Sequence, residues 1–218
     1  MILVVASLTD SEVQGLATRT ADDVVVLTPL DLSAPGWAAT MSEETSTFVA
    51  AGRRHETGAV KGVVTRLVAI PSVEMLVLAN DDREYAACES TAFMAWWLSR
   101  FSCPVVNAPD PTSLVGRSLH PLHWASIAIG LGITIDPSMI GRAPGLTPND
   151  VTWCTTFDGE PTTPAANEIA TMARLLAKQV PQRLAGFAFT KRDEKFCGCT
   201  PLPGLDDATW SRVQEVCQ

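Results

Sequence analysis

The chain opens MILVVASLTDSEVQGLATRTADDVVVLTPL, residues 1–30, and the reading of this stretch decides the fold. Ile2 to Ala6 is an unbroken apolar run of strand length, with β-branched residues. Thr9, Asp10 and Ser11 supply the side-chain oxygens that cap helix N-termini, so a short helix to about Thr18 is expected. Val24 to Leu27 is a second apolar strand, ended by Pro29. Two strands joined through a helix make a β-α-β unit, which builds a parallel sheet of Rossmann type. The first strand-to-helix turn lacks the glycine-rich fingerprint of dinucleotide sites, so none is read here.

Further along, Trp37 to Met41 and Thr47 to Ala51 read as an edge hairpin. Gly62 to Leu67 is a strand that ends in Arg66, and Val73 to Leu78 fits strand or helix equally. Asp81 and Asp82 cap a long helix over 83–101. Its apolar stripe is read as Tyr85, Cys88, Ala92, Trp96 and Ser99, widened by Phe93, Trp97 and Phe101. Pro104 to Asn107 is a short strand, and a helix from about His120 to Leu131 stops at Gly132. Residues 136–150 hold three prolines and two glycines and read as a linker. Strands at Val151–Phe157, Leu184–Phe189 and Lys195–Cys199 follow, with helices at about Ala165–Gln179 and after Asp207. The expected organisation is therefore 1–135, a linker at 136–150, and 151–218.

A chain of 218 residues can bury a core without metal or disulfide staples. Hydrophobic residues at 46% against 18% charged mark a globular protein. The net charge of −8, with only four lysines, argues against a nucleic-acid partner, whose backbone needs clustered cations. No stretch approaches the roughly 20 apolar residues of a membrane span, and no signal peptide is visible, so a cytoplasmic protein without a membrane partner is expected. The six cysteines are then expected as free thiols.

The middle and end of the chain carry a resemblance. Gly62-Val-Val-Thr-Arg66 is followed by Tyr85-x-x-x-Glu89, Trp97-Leu98, Val105-Val-Asn-Ala-Pro109, Leu114-Val-Gly-Arg117, Trp124 and Gly130-Leu-Gly-Ile133. In that order these resemble the pre-ATP-grasp domain of ATP-grasp ligases, in particular those of peptide modification and natural-product biosynthesis. Val151 to Glu160, Leu184 to Phe189, and Lys195-Phe-Cys-Gly-Cys-Thr-Pro-Leu-Pro-Gly204 resemble strands of the family's core. The resemblance implies an α/β fold with a Rossmann-like pre-ATP-grasp lobe, then a truncated α+β ATP-grasp core. It places cleft residues at Arg66, Tyr85, Glu89, Asn107 and Arg117.

The departures point away from catalysis. In the family an acidic residue and an asparagine in the last motif hold magnesium against phosphate, and hard Mg²⁺ needs such oxygens. Gly198 and Thr200 stand at those positions. The interval from Ile133 to Val151 is too short for the lysine-bearing ATP subdomain and contains no lysine. The reading leans to a pseudoenzyme with no cofactor, acting as a non-catalytic binding or accessory subunit for a partner protein, a peptide or a second copy. The alternatives are an ATP-dependent carboxylate–amine ligase with a rearranged site, an enzyme reusing the old cleft, or a metal-handling protein.

Several residues admit a second reading. Arg66 and Glu89 pair across the cleft or form a structural ion pair, and Asn107 binds a ligand or makes an Asx turn. His120 and His123 share one helix face, and Cys197 and Cys199, two apart on a strand, share one side, so the four compose a candidate soft-metal site against a packing reading. Trp96, Trp97 and Trp124 are read as core filling. Loss of the ATP subdomain would bare the 151–204 sheet and make Trp153 and Phe157 the centre of a homodimer or obligate interface.

Overall fold

A computed structural model describes residues 1–19, 24–40, 46–138, 140 and 150–217. Most of the expected linker, 139 and 141–149, lies outside the described residues, as does Met41. The chain divides into two compact units, Met1–Gly116 with the last residues from Gln214, and Arg117–Val213.

The first unit is built on a parallel sheet of β1 (Ile2–Val5), β2 (Val24–Leu27), β5 (Gly62–Thr65) and β6 (Val105–Val106), in the order β2-β1-β5-β6. β1 is an inner strand and is buried along its whole length, which is why it reads as continuous rather than alternating. α1 (Ser11–Arg19) connects β1 to β2. The edge hairpin is β3 (Thr47–Ala50) with β4 (Arg53–Glu56). Among the described residues, the expected partner at Trp37–Met41 supplies one bridge, Ala38 to Thr47. Arg53, Arg54 and Glu56 are exposed, so β4 carries no apolar signal, and its pairing is set by a two-residue turn at Ala51 and Gly52, both at positive φ. The ambiguous run Val73–Leu78 is neither strand nor α-helix but a 3₁₀ turn, Ser72–Glu74, followed by turns.

α2 (Arg83–Leu98) is the long helix, turned the other way from the expected stripe. Tyr85, Cys88, Ala92, Trp96 and Ser99 are exposed, whereas Ala87, Met94, Trp97, Leu98 and Phe101 face the core. Trp97 packs edge-on against Trp37, Phe48 and Phe101, which anchors that inner face.

In the second unit, β7 (Val151–Phe157), β8 (Glu160–Pro161), β9 (Leu184–Thr190) and β10 (Phe196–Thr200) form an antiparallel sheet in the order β10-β9-β7-β8. α3 (Pro121–Gly130) and α4 (Asn167–Ala177) pack on one face through Trp124, Ala128, Ile169 and Leu176. α3 belongs with this unit and not with the first, contrary to a boundary at 135, because Trp124 lies edge-on to Phe187 at 5.6 Å between ring centroids. The expected linker is anchored at its start, since the Asp136 amide donates to Phe196 O at 2.9 Å. α5 (Asp207–Val216) closes the chain.

Candidate functional site

In an open parallel sheet, ligands gather at the carboxyl ends of the strands where the strand order reverses. Here that point lies between β1 and β5. Asp10 follows β1 and does two things at once. Its Oδ1 accepts from the amides of Glu12 and Val13, capping α1, and its Oδ2 accepts from Arg66 Nε at 2.7 Å. Arg66, directly after β5, is 7% exposed and its amide donates to Val5 O. The partner of Arg66 is thus Asp10 rather than Glu89, which is exposed on α2.

Glu74, also buried, accepts from the amide of Leu8 and from the hydroxyl of Ser7, which in turn meets Thr9. Beneath them Thr65 Oγ1 donates to Asn107 O at 2.6 Å, with Asn107 buried at 2% after a cis Val106–Asn107 peptide. A buried charge persists only where its polar atoms are met: Asp10 and Arg66 pair with each other, and Glu74 accepts two hydrogen bonds. The ends of β1 and β5 therefore carry two hydrogen-bonded groups, Asp10 with Arg66 and Ser7 with Glu74, and Thr65 ties the backbone of Asn107 to β5. Of the expected cleft residues, Arg66 and Asn107 lie at the strand ends. Tyr85 is 72% exposed on the outer face of α2, as is Glu89, while Arg117 is the exposed first residue of the second unit.

Sequence reading missed Asp10 as the arginine's partner, since the two lie 56 residues apart and Asp10 already had a capping role. Glu74 left a signal that could have been used. It is the one charge in the apolar run 67–78, and such a charge, if buried, requires a donor.

In the second unit, β10 carries Gly198 and Thr200, the two positions that the resemblance set against a metal site. Gly198 is buried opposite Ala188, and the Thr200 hydroxyl accepts from the amide of Leu202 at 3.1 Å. The register shifts between Phe196 and Gly198, a bulge that places one extra residue in the strand. Cys197 therefore packs with Val151 and Ala188, while Cys199 packs with the Trp124 and Phe187 cluster on the other face. The two thiols do not share a side, as unbroken alternation required. Burial pushes the Cys199 thiol up, and burial with the Asp136 carboxylate pushes Cys197 up to about 11. Both stay protonated thiols near neutral pH, whereas metal ligation needs thiolate.

His120 is exposed and accepts from the amide of Leu122, capping α3, and His123 is exposed one turn on with the rings 6.3 Å apart. Among the described residues no group of three or more His, Cys, Asp or Glu is placed to hold a metal ion. Of the two residues expected at an interface, Phe157 is buried beneath the Arg183 guanidinium at 5.3 Å, and Trp153 is half-buried beside Gly186. Among the described residues no helix is long and apolar enough to cross a membrane.

No protein-family model matches the chain, and no curated protein does. Solved structures do. The ATP-grasp ligase PsnB, complexed with minimal precursor, Mg and ADP, is 13% identical with a TM-score of 0.65, over 100% of this chain and 97% of that one. The macrocyclase MdnC bound with precursor peptide MdnA, from Microcystis aeruginosa MRC, is 9% identical with a TM-score of 0.67, over 99% of each chain. A RiPP-associated ATP-grasp ligase of Chryseobacterium gregarium, in complex with ADP and a leader and core peptide, is 9% identical with a TM-score of 0.64, over 99% of this chain and 96% of that one. A unit built on a parallel sheet, followed in the chain by a unit built on an antiparallel sheet and aligned to these chains end to end, makes this protein ATP-grasp-like in fold.

Proposed function

We propose that this chain is a non-catalytic, ATP-grasp-like accessory protein that binds a peptide or partner protein in a peptide-modification pathway. The observation that carries the non-catalytic part is β10. Gly198 offers no side chain and the Thr200 hydroxyl is already committed to Leu202, so the groups there do not fit a magnesium ion and its nucleotide. Residues 133–151 add no lysine to hold phosphate. Without metal and cationic clamps, phosphoryl transfer loses its main stabilising interactions. The sealed Asp10–Arg66 pair supports the same reading, since a charge spent on its neighbour is not available to a substrate. The peptide part rests on the similar folds of PsnB and MdnC, each solved with a precursor peptide.

Calorimetry with ATP, with and without magnesium, tests the reading. The expected result is no saturable heat at ligand concentrations up to about 1 mM, whereas the rival ligase reading requires micromolar affinity. Micromolar Mg·ATP binding, or ATP-dependent amide or ester formation on a peptide, overturns the proposal.

A further inference from the structure

The first unit carries an apolar surface that the described residues leave uncovered. The loop after Arg66 holds Val68, Val73, Leu76 and Val77 at 45–72% exposure, which is unusual for so many large aliphatic residues in one short segment. Beside that loop, α2 turns outward the stripe that sequence periodicity assigned to the core, with Tyr85 at 72% and Trp96 at 39%. Between loop and helix lies a groove of about 350 Å³. Its floor is apolar or small, from Ile70, Ala87, Ala92, Ala95 and Leu114, and Cys88 opens into it. It is a built feature. The Ile70 amide donates to Thr91 Oγ1, which donates to Ala87 O, and Leu114 donates to Val68 O, so loop, helix and floor are hydrogen-bonded together.

The charges that line this groove have one sign: among the described residues Glu84 and Asp110 line it, and no cation does. Asp81 and Asp82 precede α2, and Glu89 lies on its exposed face. Arg83, the nearest cation in sequence, donates to Leu76 O and Leu78 O. Complementary potential selects partners, and like charges brought together at an interface cost several kcal/mol. A second copy of this chain, at −8 overall, would set one acidic rim against another.

We infer that the α2 groove of the first unit docks a basic amphipathic peptide segment, its apolar side chains in the groove and its Lys or Arg residues against Glu84 and the flanking carboxylates. This rests on the peptide-binding reading above and gives that peptide a place and a chemistry.

Cys88 is the reporter, because it is exposed in the groove while Cys154, Cys197 and Cys217 are buried. The probe is a short capped peptide of leucine, alanine and lysine at helical spacing. The control is the same peptide with each lysine replaced by glutamate. The rate of iodoacetamide alkylation at Cys88 is followed by peptide mass mapping, and total binding by anisotropy of a labelled peptide. The lysine peptide is expected to slow Cys88 alkylation about tenfold at saturation and the glutamate peptide not at all, because the rim charge decides between them. Ala92→Trp, which fills the groove at an exposed position, removes the protection, and Glu84→Lys weakens it for the lysine peptide alone. Binding by anisotropy without protection of Cys88 overturns the site and leaves the peptide-binding reading standing. No binding of either peptide overturns both. Equal protection by the two peptides overturns the basic partner. Protection that rises with protein concentration and no peptide identifies a second copy as the occupant and overturns the proposal.

Discussion

At the carboxyl ends of β1 and β5 the parallel sheet keeps a full set of charges, Asp10, Arg66 and Glu74, and spends each on a neighbour; β10 of the antiparallel sheet keeps no charge at all, only Phe196, two thiols, Gly198 and Thr200. Both ends are satisfied internally, by opposite means. The difference teaches what each end can tolerate. A charged cluster is sensitive to the loss of any one member, because the remaining charge is left buried and unpaired. An uncharged, close-packed strand is sensitive to added volume instead.

The largest effect expected follows from that contrast. Arg66→Met strands the Asp10 carboxylate at 12% side-chain exposure, and removal of one partner of a buried pair costs about 3–5 kcal/mol. Amide exchange should lose protection in β1 and β5 while β7 and β9 keep theirs. The double variant Arg66→Met with Asp10→Asn should recover part of the loss, since no bare charge remains. Uniform loss across both sheets would break the comparison.

Next come two glycines, one per sheet. A Cβ built at Gly62 on β5 would meet Cys217 Cβ at 2.5 Å and its backbone Cα at 3.2 Å, and one at Gly186 on β9 would meet Pro203 Cβ at 2.9 Å. Overpacking of this kind costs about 1–3 kcal/mol. Gly62→Ala is expected to cost more than Gly186→Ala in urea denaturation, because backbone must move as well as side chain. The reverse order would show the terminal residues to be the softer neighbour.

A smaller effect is set by pH and lies in the second sheet. The Cys197 thiol is raised from 9.0 to about 11, first by burial and then by Asp136. Between those values the unfolded chain releases a proton that the folded chain keeps. The stabilisation is thus complete below pH 9 and is lost as pH rises through 11. Stability measured from pH 8 upward should fall, and Cys197→Ala should make the decline shallower. An identical slope in the variant would remove burial of this thiol as the cause.

What the sequence showed and hid follows the same physical lines. Ile2–Val5 and Leu184–Phe189 were legible because burial on both faces leaves an unbroken apolar run. The orientation of α2 was not, because both its faces are apolar: Tyr85, Cys88, Ala92 and Trp96 repeat as regularly as Ala87, Met94, Leu98 and Phe101. Only the ring cluster around Trp97, with Trp37 and Phe48 far away in sequence, decides between them. Arg66 and Asn107 were legible as strand-end residues, but the Asp10 pairing is long-range and leaves no local pattern. Cys197 and Cys199 misled because a single bulge residue reverses a rule that depends on strict alternation.

The smallest effect lies off both sheets and sets the scale for the others. β3 and β4 are joined by Ala51 at φ 50° and Gly52 at φ 70°. A two-residue hairpin turn with both central residues at positive φ prefers Asn-Gly, because its twist matches that of the strands and asparagine tolerates the left-handed region. Alanine has no such tolerance, and a non-glycine residue held there costs on the order of 1 kcal/mol. Ala51 is exposed, so its replacement disturbs no packing. Ala51→Asn should therefore raise stability by a few tenths to about 1 kcal/mol, visible as a higher urea midpoint with an unchanged slope. Ala51→Val should lower the midpoint, since a β-branched residue fits positive φ worst. If Asn lowers it and Val does not, the backbone at Ala51 is not left-handed in solution, and the pairing of the charged strand Arg53–Glu56 loses its explanation.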